Sequence, residues 1–120
     1  MIIEATEETP KIILDINSGS MEFTNRSLPE DAVAFYQPVV EWIKTYSVNP
    51  SPETICTVKL EYYNTSSAKQ LYKIFNLLEE LSKKSNVEVR WYYQPEDKDM
   101  QASGDRYSKM LTIPFKVMEC

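Results

Sequence analysis

The stretch Leu60-Glu61-Tyr62-Tyr63-Asn64-Thr65-Ser66-Ser67-Ala68-Lys69 decides how this chain is read. Before it, Cys56, Val58, Leu60 and Tyr62 alternate with Thr57, Lys59 and Glu61, the period of two that one buried face imposes on a strand. That pattern predicts a strand from Thr54 to Tyr63. After it, Leu71, Ile74, Phe75, Leu78 and Leu81 follow helical spacing while Lys73, Glu79, Glu80, Lys83 and Lys84 keep to the other side, which predicts an amphipathic helix. Three adjacent hydroxyl residues, Thr65, Ser66 and Ser67, stand between the two patterns. Ser67 with Gln70 matches a capping box, so Ser67 is expected to cap the helix and Thr65 and Ser66 to project from the turn. A helix start offers free backbone N–H groups and the positive end of the helix dipole, so a phosphate placed on one of these hydroxyls is stabilised there. Phosphorylation adds about −1.5 to −2 charges at neutral pH, beside Lys69 but near Glu61. The plainer reading is that all three are helix-start residues, since Ser, Thr and Asn are favoured caps.

The neighbouring segments extend the same logic. Ile12, Leu14 and Ile16 alternate up to the turn Asn17-Ser18-Gly19-Ser20, and Met21 and Phe23 resume the alternation, a hairpin pattern. Pro29-Glu30-Asp31 opens a helix carrying Ala32, Phe35, Tyr36, Val39, Val40, Trp42, Ile43 and Tyr46, which Asn49-Pro50-Ser51-Pro52 ends. Pro38 is expected to kink or shorten its first turns. Val87, Val89, Trp91 and Tyr93 form another strand. Gln94-Pro95-Glu96-Asp97-Lys98-Asp99 leads into a weaker helical segment from Met100 to Met110, and Leu111, Ile113, Phe115 and Val117 read as a last strand. The order strand, strand, helix, strand, helix, strand, helix, strand is that of successive βαβ crossovers. It predicts an α/β fold with a mixed, mostly parallel sheet, an N-terminal hairpin and helices mainly on one face. The carboxyl ends of such strands form the working edge, which brings Asn64 to Ser67 and Gln94 to Asp99 together.

With 120 residues the chain fits one domain, residues 1–120. Its 13 basic and 18 acidic residues, net charge −5, include no basic run able to track a phosphate backbone, which argues against nucleic acid as partner. No segment approaches the length of a membrane span. The start of the chain carries acidic residues where an export signal needs basic ones, and Cys56 and Cys120 form no redox or zinc motif, so a cytoplasmic protein is expected. Histidine is absent, which removes the commonest general base and metal ligand. Neither Gly19 nor Gly104 falls in a strand-to-helix turn, so no phosphate-cradling loop of the GxGxxG or P-loop kind can be written. These observations disfavour an enzyme, with a small α/β nucleotide binder as the less favoured alternative, and no cofactor is expected.

Thr9-Pro10, Ser27-Leu28-Pro29-Glu30-Asp31, Phe35-Tyr36-Gln37-Pro38, Trp42-Ile43, Tyr63 to Lys69, Trp91-Tyr92-Tyr93, Glu96 to Met100 and Pro114-Phe115 together carry a family resemblance over nearly the whole chain. In these features the sequence resembles the SiaC-type bacterial regulatory phosphoproteins, whose domain is similar to the STAS, or anti-sigma-factor-antagonist, proteins. The resemblance implies that a serine/threonine protein kinase phosphorylates Thr65 and a PP2C-like phosphatase reverses it. It also implies that the unmodified form binds and activates a diguanylate cyclase, in cyclic di-GMP signalling and biofilm control. STAS proteins more often carry the modified serine one step later, so Ser66 is the competing acceptor, and an anti-sigma factor is the competing output partner. Asp31 departs from the Asn usual in the family pattern, a change that leaves helix initiation intact.

The surface expected to meet partners comprises Tyr63, Asn64, Ser66, Ser67, Lys69, Glu96, Asp97 and Asp99. The three acidic residues could offer oxygen ligands to a divalent cation. The more economical role is to favour the start of the third helix through its dipole, and no metal site is assigned. Trp91 and Tyr93 share the parity of Val89 and are expected in the core, with Tyr63 and Tyr92 covering the opposite face.

Overall fold

The computed structural model describes residues 1–120. Its elements are β1 (Ile2–Ile3), β2 (Lys11–Asp15), β3 (Ser20–Ser27), α1 (Ala32–Tyr46), β4 (Glu53–Tyr63), α2 (Thr65–Leu81), β5 (Asn86–Tyr93), α3 (Lys98–Met110) and β6 (Phe115–Glu119). The strands form one six-stranded sheet in sequential order, antiparallel from β1 to β3 and parallel from β3 to β6. Right-handed crossovers that all advance in one direction put α1, α2 and α3 on the same side of it.

Burial follows the alternation that the sequence displays. Ile12, Leu14, Met21, Phe23, Cys56, Val58, Val87, Val89 and Trp91 are buried beneath the helices. The opposite parity stays open: Glu88 pairs there with Arg90 and Lys116, and the Lys59 ammonium lies 5.9 Å from the centre of the Tyr92 ring. Each helix supplies its apolar stripe to the covered side, for example Tyr36, Val39, Val40 and Ile43 from α1 and Leu71, Ile74, Phe75 and Leu78 from α2. No helix is long and apolar enough to cross a membrane.

All three helices begin on an Asx side chain that accepts from the third amide of the helix. Asp31 accepts from Ala34 N at 3.1 Å, Asn64 from Ser67 N at 2.9 Å and Asp97 from Met100 N at 3.0 Å. Pro38 lies on the exposed side of α1 and does not shorten it, since the helix runs unbroken from Ala32 to Tyr46. Two further departures concern the sheet. The pair Ile2–Ile3, too short to show any alternation, adds an edge strand. Leu111 and Ile113 are buried but precede β6, which begins only at Phe115.

Gly19 closes the β2–β3 turn at φ +75, where a side chain would collide with the Glu53 carbonyl oxygen and, at 2.5 Å, with the Tyr46 hydroxyl. Gly104 lets α3 lie directly on Trp91, whose Cδ1 would be 2.5 Å from an added Cβ. That contact is completed by the Trp91 indole N–H, which donates to the Met100 carbonyl at 3.0 Å.

A cavity at the strand-to-helix junction

The register between β3 and β4 changes where β4 ends. Asn25 opposes Leu60, but Arg26 opposes Tyr62, so Glu61 is an extra residue on β4; Asn25, facing it, takes φ 75. The bulge reverses the side-chain parity of the last two strand residues. Tyr62, in phase with Leu60 by simple alternation, turns out and is 52% exposed. Tyr63, expected on the open face, turns under the helices and meets Trp91 edge-on at 5.8 Å. Trp91 itself is buried, Tyr93 packs half-buried against the core, and Tyr92 lies on the open face, as their parity requires.

The cap of α2 is Asn64, not Ser67 as the capping-box pattern suggests. Asn64, at φ −87 and ψ 174, is the residue still extended when the helix begins, and its side chain takes the Ser67 amide. The helix therefore starts at Thr65, and Ser67 is its third residue rather than its cap. Ser67 faces inward, fully buried, and so is not available to a partner as a surface side chain. Its hydroxyl donates to the Ser27 carbonyl at 3.1 Å and lies 2.8 Å from the Ser27 hydroxyl, which is in turn 2.6 Å from that of Tyr36. This cluster ties the end of β3, α1 and the first turn of α2 into one unit. Burial pushes the Tyr36 hydroxyl up to about 12, against the opposing effect of its Ser27 and Ser67 neighbours.

Thr65 and Ser66 occupy the first two helical positions, both exposed. The Ser66 hydroxyl donates to Asn64 Oδ1 at 3.1 Å. Thr65 instead lines a cavity of about 430 Å³ between the β4–α2 junction and α3. Tyr63, Asn64, Asp97 and Asp99 line it as well, so the structure brings together the two strand-end segments that topology placed on one edge. Lys69 opens onto a separate groove with Tyr72 and Lys73, and Glu96 stays exposed in the turn before α3. Asp97 is the α3 cap and Asp99 lies in its first turn, the helix-start role that charge at this end favours. No group of three or more His, Cys, Asp or Glu side chains converges as metal ligands.

The far wall of the cavity escaped sequence reasoning. Met100, Ser103, Arg106, Tyr107 and Met110 of α3 complete it. The positions 99, 103, 106 and 110 repeat at helical spacing, a signal that the polar composition of this segment obscured. The Tyr107 hydroxyl donates to the Ala68 carbonyl at 3.1 Å, pinning α3 to the first turn of α2. Burial, and then the neighbouring Tyr63, raise its pKa, so it stays a protonated donor. What this arrangement offers chemically is an exposed hydroxyl at a helix start, facing a cleft that contains both signs of charge.

The SiaC family regulatory phosphoprotein profile matches residues 3–120. The chain is 26% identical over 116 residues to an uncharacterized protein of Pseudomonas aeruginosa strain UCBPP-PA14, covering 96% of this chain and 92% of that one. Its fold is similar to SiaC of Pseudomonas aeruginosa in the crystal structure of the diguanylate cyclase SiaD in complex with its activator SiaC. That match has a TM-score of 0.93 and 25% identity, covering 100% of this chain and 99% of that one. A second structure of SiaC from the same organism superposes with a TM-score of 0.90 at 25% identity, covering 100% and 98% of the two chains.

Proposed function

The chain belongs to the SiaC family of regulatory phosphoproteins, and from that premise we propose that it is a non-catalytic switch whose output partner is a diguanylate cyclase. Reversible phosphorylation of Thr65 by a serine/threonine kinase and a PP2C-like phosphatase sets whether the cyclase is bound. The kinase transfers the γ-phosphoryl group of ATP to Thr65 Oγ1, whose proton leaves; the phosphatase hydrolyses that ester with water. In this reading the chain works in the bacterial cytoplasm, where ATP and the cyclase's product, cyclic di-GMP, are found, and contributes to biofilm control.

One observation carries the assignment: Thr65 is an exposed hydroxyl at the first position of α2 that also lines the cavity between α2 and α3. Ser67 is fully buried, and the Ser66 hydroxyl is engaged by Asn64. The amides of Thr65 and Ser66 are the ones left free, since Asn64 Oδ1 takes that of Ser67 and the Asn64 carbonyl that of Ala68. They stabilise negative charge on the neighbouring oxygen. Likeness to SiaC bound to the cyclase SiaD supports a cyclase over an anti-sigma factor as the output.

The test is to incubate the protein with its kinase and ATP, map the modified residue by mass spectrometry, and measure cyclase binding before and after. Labelling confined to position 65 with loss of cyclase binding is the expected result. Labelling that persists in Thr65→Ala overturns the assignment.

A further inference from the structure

The wall opposite Thr65 is a single stripe of α3, on which Asp99, Ser103, Arg106 and Met110 follow at helical spacing. Arg106 is the one cationic side chain among the 12 residues lining the cavity. Its guanidinium donates to a neutral acceptor, Ser103 Oγ at 3.1 Å, and forms no ion pair with Asp97 or Asp99 at the start of the same helix. An arginine in that position has charge and donors to spare, and its planar fork matches the geometry of a phosphate.

Resting on the reading of Thr65 as acceptor, we propose that Arg106 is the counter-ion of the phosphorylated state. The phosphate on Thr65 is held across the cavity by the Arg106 guanidinium, together with the free amides of Thr65 and Ser66. Asp97 and Asp99 oppose it, and the Tyr107 hydroxyl is already committed to Ala68. The clasp joins α2 to α3 and fills the cleft, so the modified protein refuses a partner that inserts a side chain there, with no change of fold.

The experiment uses the full chain with phosphothreonine encoded at position 65 and follows the second ionisation of the phosphate by phosphorus NMR. The groups facing that phosphate are Asp97, Asp99, Arg106 and Tyr107 from α3 and Tyr62 and Tyr63 from β4, with Lys69 one turn along α2. Arg106→Ala is expected to raise the phosphate's second pKa by about 0.5 relative to the parent phosphoprotein. Arg106→Lys retains part of the difference, and Asp99→Asn lowers the value. Lys69→Ala has the smaller effect of the two cation removals. An unchanged pKa in Arg106→Ala, or a larger change in Lys69→Ala, overturns the proposal. Arg106 is exposed, so its substitution leaves the core intact. Because the phosphate is installed during synthesis, this outcome is independent of which hydroxyl the kinase selects; mass spectrometry of the kinase product decides that question separately.

Discussion

The Ser67 hydroxyl donates to the Ser27 carbonyl oxygen at 3.1 Å, and this one bond fixes the direction of every proton in the buried cluster below Thr65. With its only proton used, Ser67 can only accept from Ser27; Ser27 must then accept from Tyr36. The same logic holds at the other end of the sheet. Ser85 donates to the Ser51 carbonyl, so Thr54 donates to Ser85 and Tyr46 to Thr54, while the Ser51 amide donates to Tyr46. No buried side-chain polar atom is left without a partner.

Ser67→Ala removes a donor and leaves the Ser27 hydroxyl proton without its acceptor. The expected cost is about 1–3 kcal/mol, read as a lower urea midpoint with an unchanged m-value. Under the proposed assignment, phosphorylation at position 65 should continue in this variant, because the Ser67 side chain is buried and Thr65 is left untouched.

Asn64→Ala removes the α2 cap and should cost about 1 kcal/mol. Asn64→Asp keeps the cap. Thermal denaturation of the two variants beside the parent checks the order, and equal stability of all three would contradict the capping role.

Thr65→Glu places a carboxylate at the first position of α2. It is expected to weaken binding to the cyclase by about tenfold or more, a change of about 1.4 kcal/mol. Thr65→Ala should bind as the parent does and resist the kinase. Isothermal titration with purified cyclase measures both.

Asp97 and Asp99 share the cavity with Thr65 and repel a phosphate carried there. The double change Asp97→Asn, Asp99→Asn preserves the α3 cap, since Asn caps as well as Asp. Dephosphorylation by the phosphatase should slow in this variant. An unchanged rate would show that repulsion plays no part in reversal.

Burial raises Cys56 and Tyr36 to about 12, from ordinary values of 9.0 and 10.0. Both groups are neutral when protonated, so their raised folded-state values contribute stability that is fully present below about pH 9 and is lost as pH rises towards 12. Unfolding free energy should fall across that window, and Tyr36→Phe should make the fall shallower above pH 10, as measured by urea denaturation at stepped pH.

The elements of this fold were legible because burial on one face stamps a period on the sequence. Cys56, Val58 and Leu60 show it for β4, and Leu71, Ile74, Phe75 and Leu78 for α2. The site was legible only to its near side. Whether Asn64 or Ser67 caps α2 depends on which residue is still extended at the helix start, and a hydroxyl or carboxamide at either place satisfies the local pattern. Arg106 sits in a segment whose polar composition concealed its stripe, and its place on the cavity that Thr65 also lines is a product of the β5–α3–β6 crossover. Ile2 and Ile3 acquire a strand only because β2 offers them an edge.

The supernumerary Glu61 sets an odd count between the sheet and the helix that follows. Flattening the bulge so that Glu61 took a place in the ladder would put Tyr62 in step with Leu60, swing Tyr63 out towards solvent, and carry the next hydroxyls half a revolution around the ribbon, away from α3. Where Thr65 stands on this surface is therefore specified by arithmetic along β4 as much as by the letters that spell it.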